Sequence, residues 1–142
     1  LFFESQFRFY LLINSNGDFI TLANNVGFCE TPEKMINENP HDFRLPLALG
    51  KAYAGLGMKK QALQAAAEGV ELMPLENDKL MGLDAIYHEM QIYAIVGEED
   101  LALDAMQKLV SIPSPYKGFW FTKNPVFSDL QKLDRFWTLL EG

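Results

Sequence analysis

The sequence is short of cysteine, of histidine and of basic charge. Its single cysteine, Cys29, cannot close an internal disulfide, which excludes the disulfide-stapled secreted scaffolds. Cys29 ends the apolar stretch Val26-Gly27-Phe28-Cys29, where a buried small hydrophobe is the expected role. The two histidines, His41 and His88, stand far apart without Cys or carboxylate partners at ligand spacing. No metal site and no cofactor is expected. Lys and Arg number 12 against 19 Asp and Glu, a net charge of -7, and no basic stripe interrupts the dispersed acids. Nucleic acid is therefore not an expected partner, since phosphate-backbone binding needs clustered cations. Long apolar runs are also missing. Residues 9–13 form the longest, far below the ~20 residues a membrane helix needs, so no membrane insertion is expected. The opening Leu1-Phe2-Phe3-Glu4 has no charged n-region, no cleavage site and no initiating Met. The expectation is a piece of a longer, cytoplasmic chain.

What is present is a globular composition, 49% hydrophobic over 142 residues, enough for one domain over 1–142 with a real core. Within it two segments repeat, 43–74 and 83–113. Tyr53, Gly57, Ala62 and Pro74 of the first correspond to Tyr93, Gly97, Ala102 and Pro113 of the second. The physical sense is a helical hairpin, twice. Leu45, Leu49, Ala52, Tyr53 and Leu56 give the first helix an apolar face. Gly57 ends it, because a left-handed backbone is inexpensive for glycine. The second helix opens at Lys59-Lys60, turns Ala62, Leu63, Ala66, Val70 and Leu72 inward and stops at Pro74. In the second repeat Ile86, Met90, Tyr93 and Ala94 precede Gly97, and Leu101, Ala102, Ala105, Met106, Leu109 and Val110 follow it. Between the repeats Asn77-Asp78 supplies a helix N-cap.

The flanks are less regular. Residues 1–40 read as a degenerate repeat, with a turn at Asn16-Gly17-Asp18 and a helix start at Thr31-Pro32-Glu33. At the other end Asn124-Pro125 is an N-cap followed by proline. Phe127, Leu130, Leu133, Phe136 or Trp137, and Leu140 then predict a closing helix over 124–141, running unbroken.

With Leu49-Gly50, Tyr53, Ala62, Gly69 and Pro74 in place, the first repeat resembles the tetratricopeptide repeat family; the second keeps Tyr93, Ala102 and Pro113 but has Glu89-Met90 in place of Leu-Gly. Pro46, where an aromatic is usual, and Ala66 depart from the pattern. The resemblance implies an all-α fold: a short right-handed TPR-like α-solenoid of antiparallel hairpins with a C-terminal capping helix. Asn124-Pro125, Phe127, Leu130, Arg135-Phe136 and Leu139-Leu140 resemble the closing pattern of TPR-like tails in bacterial multidomain proteins. Those tails follow adenylate cyclase, kinase or winged-helix domains. Asp134 stands where the pattern has a second proline.

Ligands of the resembled family lie in the groove of the first helices of each hairpin. By position this implies Arg44, Leu47 and Lys51 from one repeat and Asp84, Tyr87 and Gln91 from the next. Leu47 and Lys51 replace the Lys and Asn of the subset that clamps a terminal carboxylate, so that ligand is disfavoured. Readings of enzyme chemistry are weaker. Asp84 and His88, four apart on one helix, form a surface ion pair more readily than a catalytic dyad. Glu98-Glu99-Asp100 complements a helix dipole. Gly55-Leu56-Gly57 follows no strand and so fails as a phosphate loop. No catalytic residue is expected, and the chain is not expected to be an enzyme. Tyr116, Phe119, Trp120 and Phe121 are expected to pack over the last repeat. The expected function is binding or scaffolding of a protein or peptide, or of another domain of a bacterial signalling chain, with homodimerisation a further option. The alternative is a small-ligand sensor with a pocket beneath residues 116–121.

Overall fold

The computed structural model describes residues 37–142. The expectations for the degenerate repeat, for Cys29 and for the helix start at Thr31-Pro32 lie outside these residues. The described residues are all-helical, with no strand among them. Four main helices run α1 (Arg44–Gly55), α2 (Lys59–Leu72), α3 (Lys79–Val96) and α4 (Glu99–Ser111). A short α5 (Gly118–Thr122), two single 3-10 turns (Pro125–Phe127 and Leu130–Lys132) and α6 (Asp134–Glu141) complete the chain.

The shared Tyr-Ala-x-x-Gly spacing has a direct backbone meaning. Gly57 and Gly97 take left-handed conformations, φ +77° and +84°. Around each, the same bonds close the helix. Gly57 N–H donates to the Ala54 carbonyl and Met58 N–H to that of Tyr53, at 3.1 and 2.9 Å. Gly97 and Glu98 do the same to Ala94 and Tyr93, at 3.3 and 2.9 Å. This is a Schellman closure, in which glycine avoids the strain of a Cβ. The next helix then starts at once, with Ala62 donating to Met58 and Ala102 to Glu98, both at 3.0 Å. The short turns fold α2 back on α1 and α4 back on α3, and α3 packs against α1 and α2 as well. Lys59 pairs with Glu98 across the two turns at 2.5 Å. Asp78 caps α3 as its sequence position predicts, accepting from Met81 N–H at 2.9 Å.

Close approach depends on small residues. Ala62, Ala66 and Ala102 are fully buried. Gly69 faces Leu47, and a Cβ there would collide with the leucine's Cγ and lie 2.7 Å from its Cδ2. Two clusters result. One, around the first hairpin, gathers Phe43, Leu47, Ala54, Ala62 and Ala66 with Ala85 and Ile92 of α3. The other joins Leu83, Ile86, Tyr87 and Met90 of α3 to α4 and to Phe121, Phe127, Leu130 and Phe136 of the C-terminal segment. Helix α3 thus serves two cores, and its apolar residues are spread around it rather than gathered in one stripe. Leu101, expected inside, is 41% exposed, and Leu103 is buried in the core of this hairpin.

The closing segment is not one helix. The chain breaks at Leu133, whose φ and ψ of -97° and 133° are extended. The reason lies in Phe127 and Phe136, both fully buried. In a continuous helix residues at that spacing would be about half a turn out of phase, on opposite faces. Two 3-10 turns and a fresh helix start allow both rings to enter the same core. Phe136 rather than Trp137 is the inward residue; Trp137 is 44% exposed and its indole N–H donates to the Gln131 carbonyl at 2.7 Å.

Candidate functional site

Helices α1 and α3 lie side by side, and their polar residues meet around His88. Lys51 Nζ of α1 lies 2.5 Å from His88 Nδ1 of α3. One turn earlier on α3, Asp84 places Oδ2 3.5 Å from His88 Nε2, the i, i+4 relation of one helix face. Tyr116, on the segment after α4, donates its hydroxyl to Asp84 Oδ1 at 2.8 Å. Gln91 Oε1 lies 3.2 Å from His88 Nδ1. The row Lys51–His88–Asp84–Tyr116 therefore ties both hairpins to the C-terminal segment.

Burial shapes its charges. Lys51 is pushed down from 10.5 to about 8 by the loss of water around its ammonium, against the opposing pull of Asp84. Burial also works to raise Asp84. The hydrogen bond and charge of His88, the Tyr116 hydroxyl and the Lys51 charge outweigh it and hold the carboxyl below its ordinary value. Burial and the adjacent Asp84 carboxylate raise the Tyr116 phenol far above its usual range. Among the described residues no buried side-chain polar atom lacks a partner, and no three metal-ligating residues cluster.

Of the six groove positions, Lys51, Asp84 and Gln91 come together here. Arg44 sits apart at the start of α1, paired with Asp42 through Nε at 2.8 Å and a second nitrogen at 3.0 Å. Leu47 has no solvent exposure, because the missing side chain of Gly69 admits it to the core. Tyr87 is 5% exposed and lies beneath the polar row instead of in it. Its ring stacks on Tyr116 at 4.8 Å and meets Trp120, Phe121 and Phe127 edge-on. Its hydroxyl donates to the Trp120 carbonyl at 2.9 Å and accepts from Asn124 Nδ2 at 3.2 Å. Burial raises its phenol.

The aromatic segment divides by residue. Tyr116 and Phe121 are buried, whereas Phe119 is 68% and Trp120 44% exposed. The space beneath it holds Tyr87, Phe121 and Phe127. Trp120 and the His88 ring both flank Tyr87, at 5.8 and 6.2 Å. Trp120 borders the polar row through Tyr116, ring to ring at 5.4 Å, and Phe119 meets Trp120 edge-on at 6.5 Å. His88 is the residue that reading by position passed over as the centre of the site. Its spacing from Asp84 was a visible signal; its contacts with Lys51, and those of Asp84 with Tyr116, span more than thirty residues and leave no local trace.

No protein-family model matches the chain, and neither a curated protein nor a solved structure does. Among the described residues no helix is long and apolar enough to cross a membrane.

Proposed function

We propose that this chain is a TPR-like protein-interaction module, a scaffolding tail within a larger cytoplasmic regulatory protein of a bacterial signalling type. The partner is a protein or peptide segment, or another domain of the parent chain, and no catalysis is assigned to the module. The observation that carries the reading is the exposure of Trp120, which packs on Tyr116 of the polar row, and of Phe119 beside it. Large aromatics at the margin of a hydrogen-bonding face are what a binding surface needs, since they supply contact area at little entropic cost. The repeated Schellman closures support the solenoid reading, because each hairpin is built by the same backbone rule.

The test is affinity capture by the full chain, followed by binding of each captured protein to purified variants. Phe119→Ala and Trp120→Ala remove exposed rings and are expected to leave the helical content intact. Loss of about 1–3 kcal/mol of affinity for a captured partner is expected, as at interface aromatics elsewhere. Retention of every partner at unchanged affinity by the double variant refutes the placement. Light scattering covers the case in which the partner is a second copy.

A further inference from the structure

We propose that the α5 turn docks an acidic linear segment of the partner protein, one that carries an apolar side chain among its carboxylates. The inference rests on the interaction reading above and adds the partner's chemistry to it. Acids outnumber bases 19 to 12 in the chain, yet residues 105–128 hold Lys108, Lys117 and Lys123 and no Asp or Glu. The absence of acid, rather than a density of base, sets this segment apart. Lys117 and Lys123 bracket α5, and both are exposed. Neither takes part in the ion pairs among the described residues. Asp84 reaches the segment through Tyr116, but its two oxygens are on the Tyr116 hydroxyl and His88. Trp120 N–H donates to the Lys117 carbonyl at 2.9 Å, and Lys123 N–H to that of Phe119 at 3.1 Å. Both cations therefore lie within one turn of the two exposed rings.

The turn is held in place before any partner arrives. Phe121, at its centre, is fully buried. Gln131 Nε2 donates to the Phe121 and Thr122 carbonyls at 3.2 and 3.1 Å, and Thr122 Oγ1 donates to the Gly118 carbonyl at 2.9 Å. Such fixing lowers the ordering cost of binding. An apolar side chain of the partner covers Phe119 and Trp120, and its carboxylates meet Lys117 and Lys123 at the rim, the usual division of an interface into apolar centre and charged margin. An anionic lipid surface offers similar chemistry. The footprint of a single turn matches one peptide segment better than a plane, and the net charge of -7 opposes approach to an anionic plane as a whole.

The experiment selects a bead-displayed random-peptide library on the full chain. Each enriched peptide is then titrated by fluorescence anisotropy against the wild type, the Lys117→Glu/Lys123→Glu variant and the Phe119→Ala/Trp120→Ala variant, with far-UV dichroism as the check on folding. Enriched sequences are expected to combine Asp or Glu with an aromatic or aliphatic residue. The lysine variant is expected to bind them about tenfold or more weakly, and a rise in salt from about 50 to about 300 mM to weaken them severalfold. If that variant loses its helical signal, Lys117→Gln/Lys123→Gln replaces it, with about a threefold loss expected. Acidic peptides bound equally by the folded lysine variant overturn the proposal, as does the absence of enrichment over bare beads. Binding of phosphatidylserine vesicles without any acidic peptide enriched also overturns it. Neutral or basic peptides that depend on Phe119 and Trp120 overturn the acidic partner and leave the interaction reading standing. Acidic peptides indifferent to both variants overturn both.

Discussion

Gly69→Ala tests how the first hairpin achieves its close approach. In isolation the substitution favours a helix by about 1 kcal/mol, because glycine costs backbone entropy in a helix interior. Here the new methyl meets the Leu47 side chain, with Cδ2 at 2.7 Å, and the Phe43 carbonyl oxygen at 3.2 Å. Leu47 is fully buried and has no open side to retreat into. Overpacking of this kind costs about 1–3 kcal/mol, so the variant should lose about 1 kcal/mol net. Leu47→Ala alone should cost about 2–5 kcal/mol through the cavity it leaves. In the Leu47→Ala background the clash with the side chain is gone. Gly69→Ala should then change sign and stabilise by up to about 1 kcal/mol, the remaining pressure coming from the Phe43 carbonyl. The coupling of the two sites is therefore about 2 kcal/mol. Urea unfolding of the four proteins, with far-UV dichroism as the readout, measures it directly. If Gly69→Ala destabilises equally in both backgrounds, Leu47 is not what requires the glycine, and the packing argument fails.

Lys51 also makes a pH prediction. Its folded value is lowered to about 8, so between pH 8 and 10 the unfolded chain binds the extra proton and stability should rise with pH. Replacing it by Met should abolish that rise; pH-dependent urea midpoints that rise equally in both proteins would refute it. Asp84 acts at the other end, its depressed carboxyl giving stability that is present above its unfolded value and is lost as pH falls through its folded one. Tyr116→Phe removes one of the bonds that depress it and should move that acid loss to higher pH, as carboxyl titration by NMR would show. Asp78→Ala should cost about 1 kcal/mol by removing the α3 cap, seen as a lower urea midpoint without a change in m.

The backbone rules were the legible part. Gly57 and Gly97, the alanines after them, Asp78 and the prolines after α2 and α4 act within a few residues of themselves. Sequence spacing is enough to read such effects. Residues whose role depends on distant partners were not legible. Leu47 and Tyr87 occupy groove positions by offset, yet one is drawn inward by Gly69 and the other by the rings of the C-terminal segment. The unbroken closing helix failed for a similar reason. Apolar residues of 124–141 fit a helical stripe roughly, and only the need to bury both Phe127 and Phe136 forces the break. The site divides the same way. Asp84 and His88 are visible together on one helix, whereas Lys51 and Tyr116 arrive from other parts of the chain.

The dependence of Tyr87 on the residues after α4 bears on the order of assembly. Both hairpins are stitched by contacts close in sequence and can form early. Tyr87, by contrast, closes loops of about thirty residues to Tyr116, Trp120 and Phe121, so its surroundings are completed last. A fragment cut after Pro113 would keep four helices and still leave the inner side of α3 and α4 open to water. Expression boundaries drawn on repeat periodicity alone would cut there and would yield a sticky product. The smallest well-behaved unit has to run through Phe136.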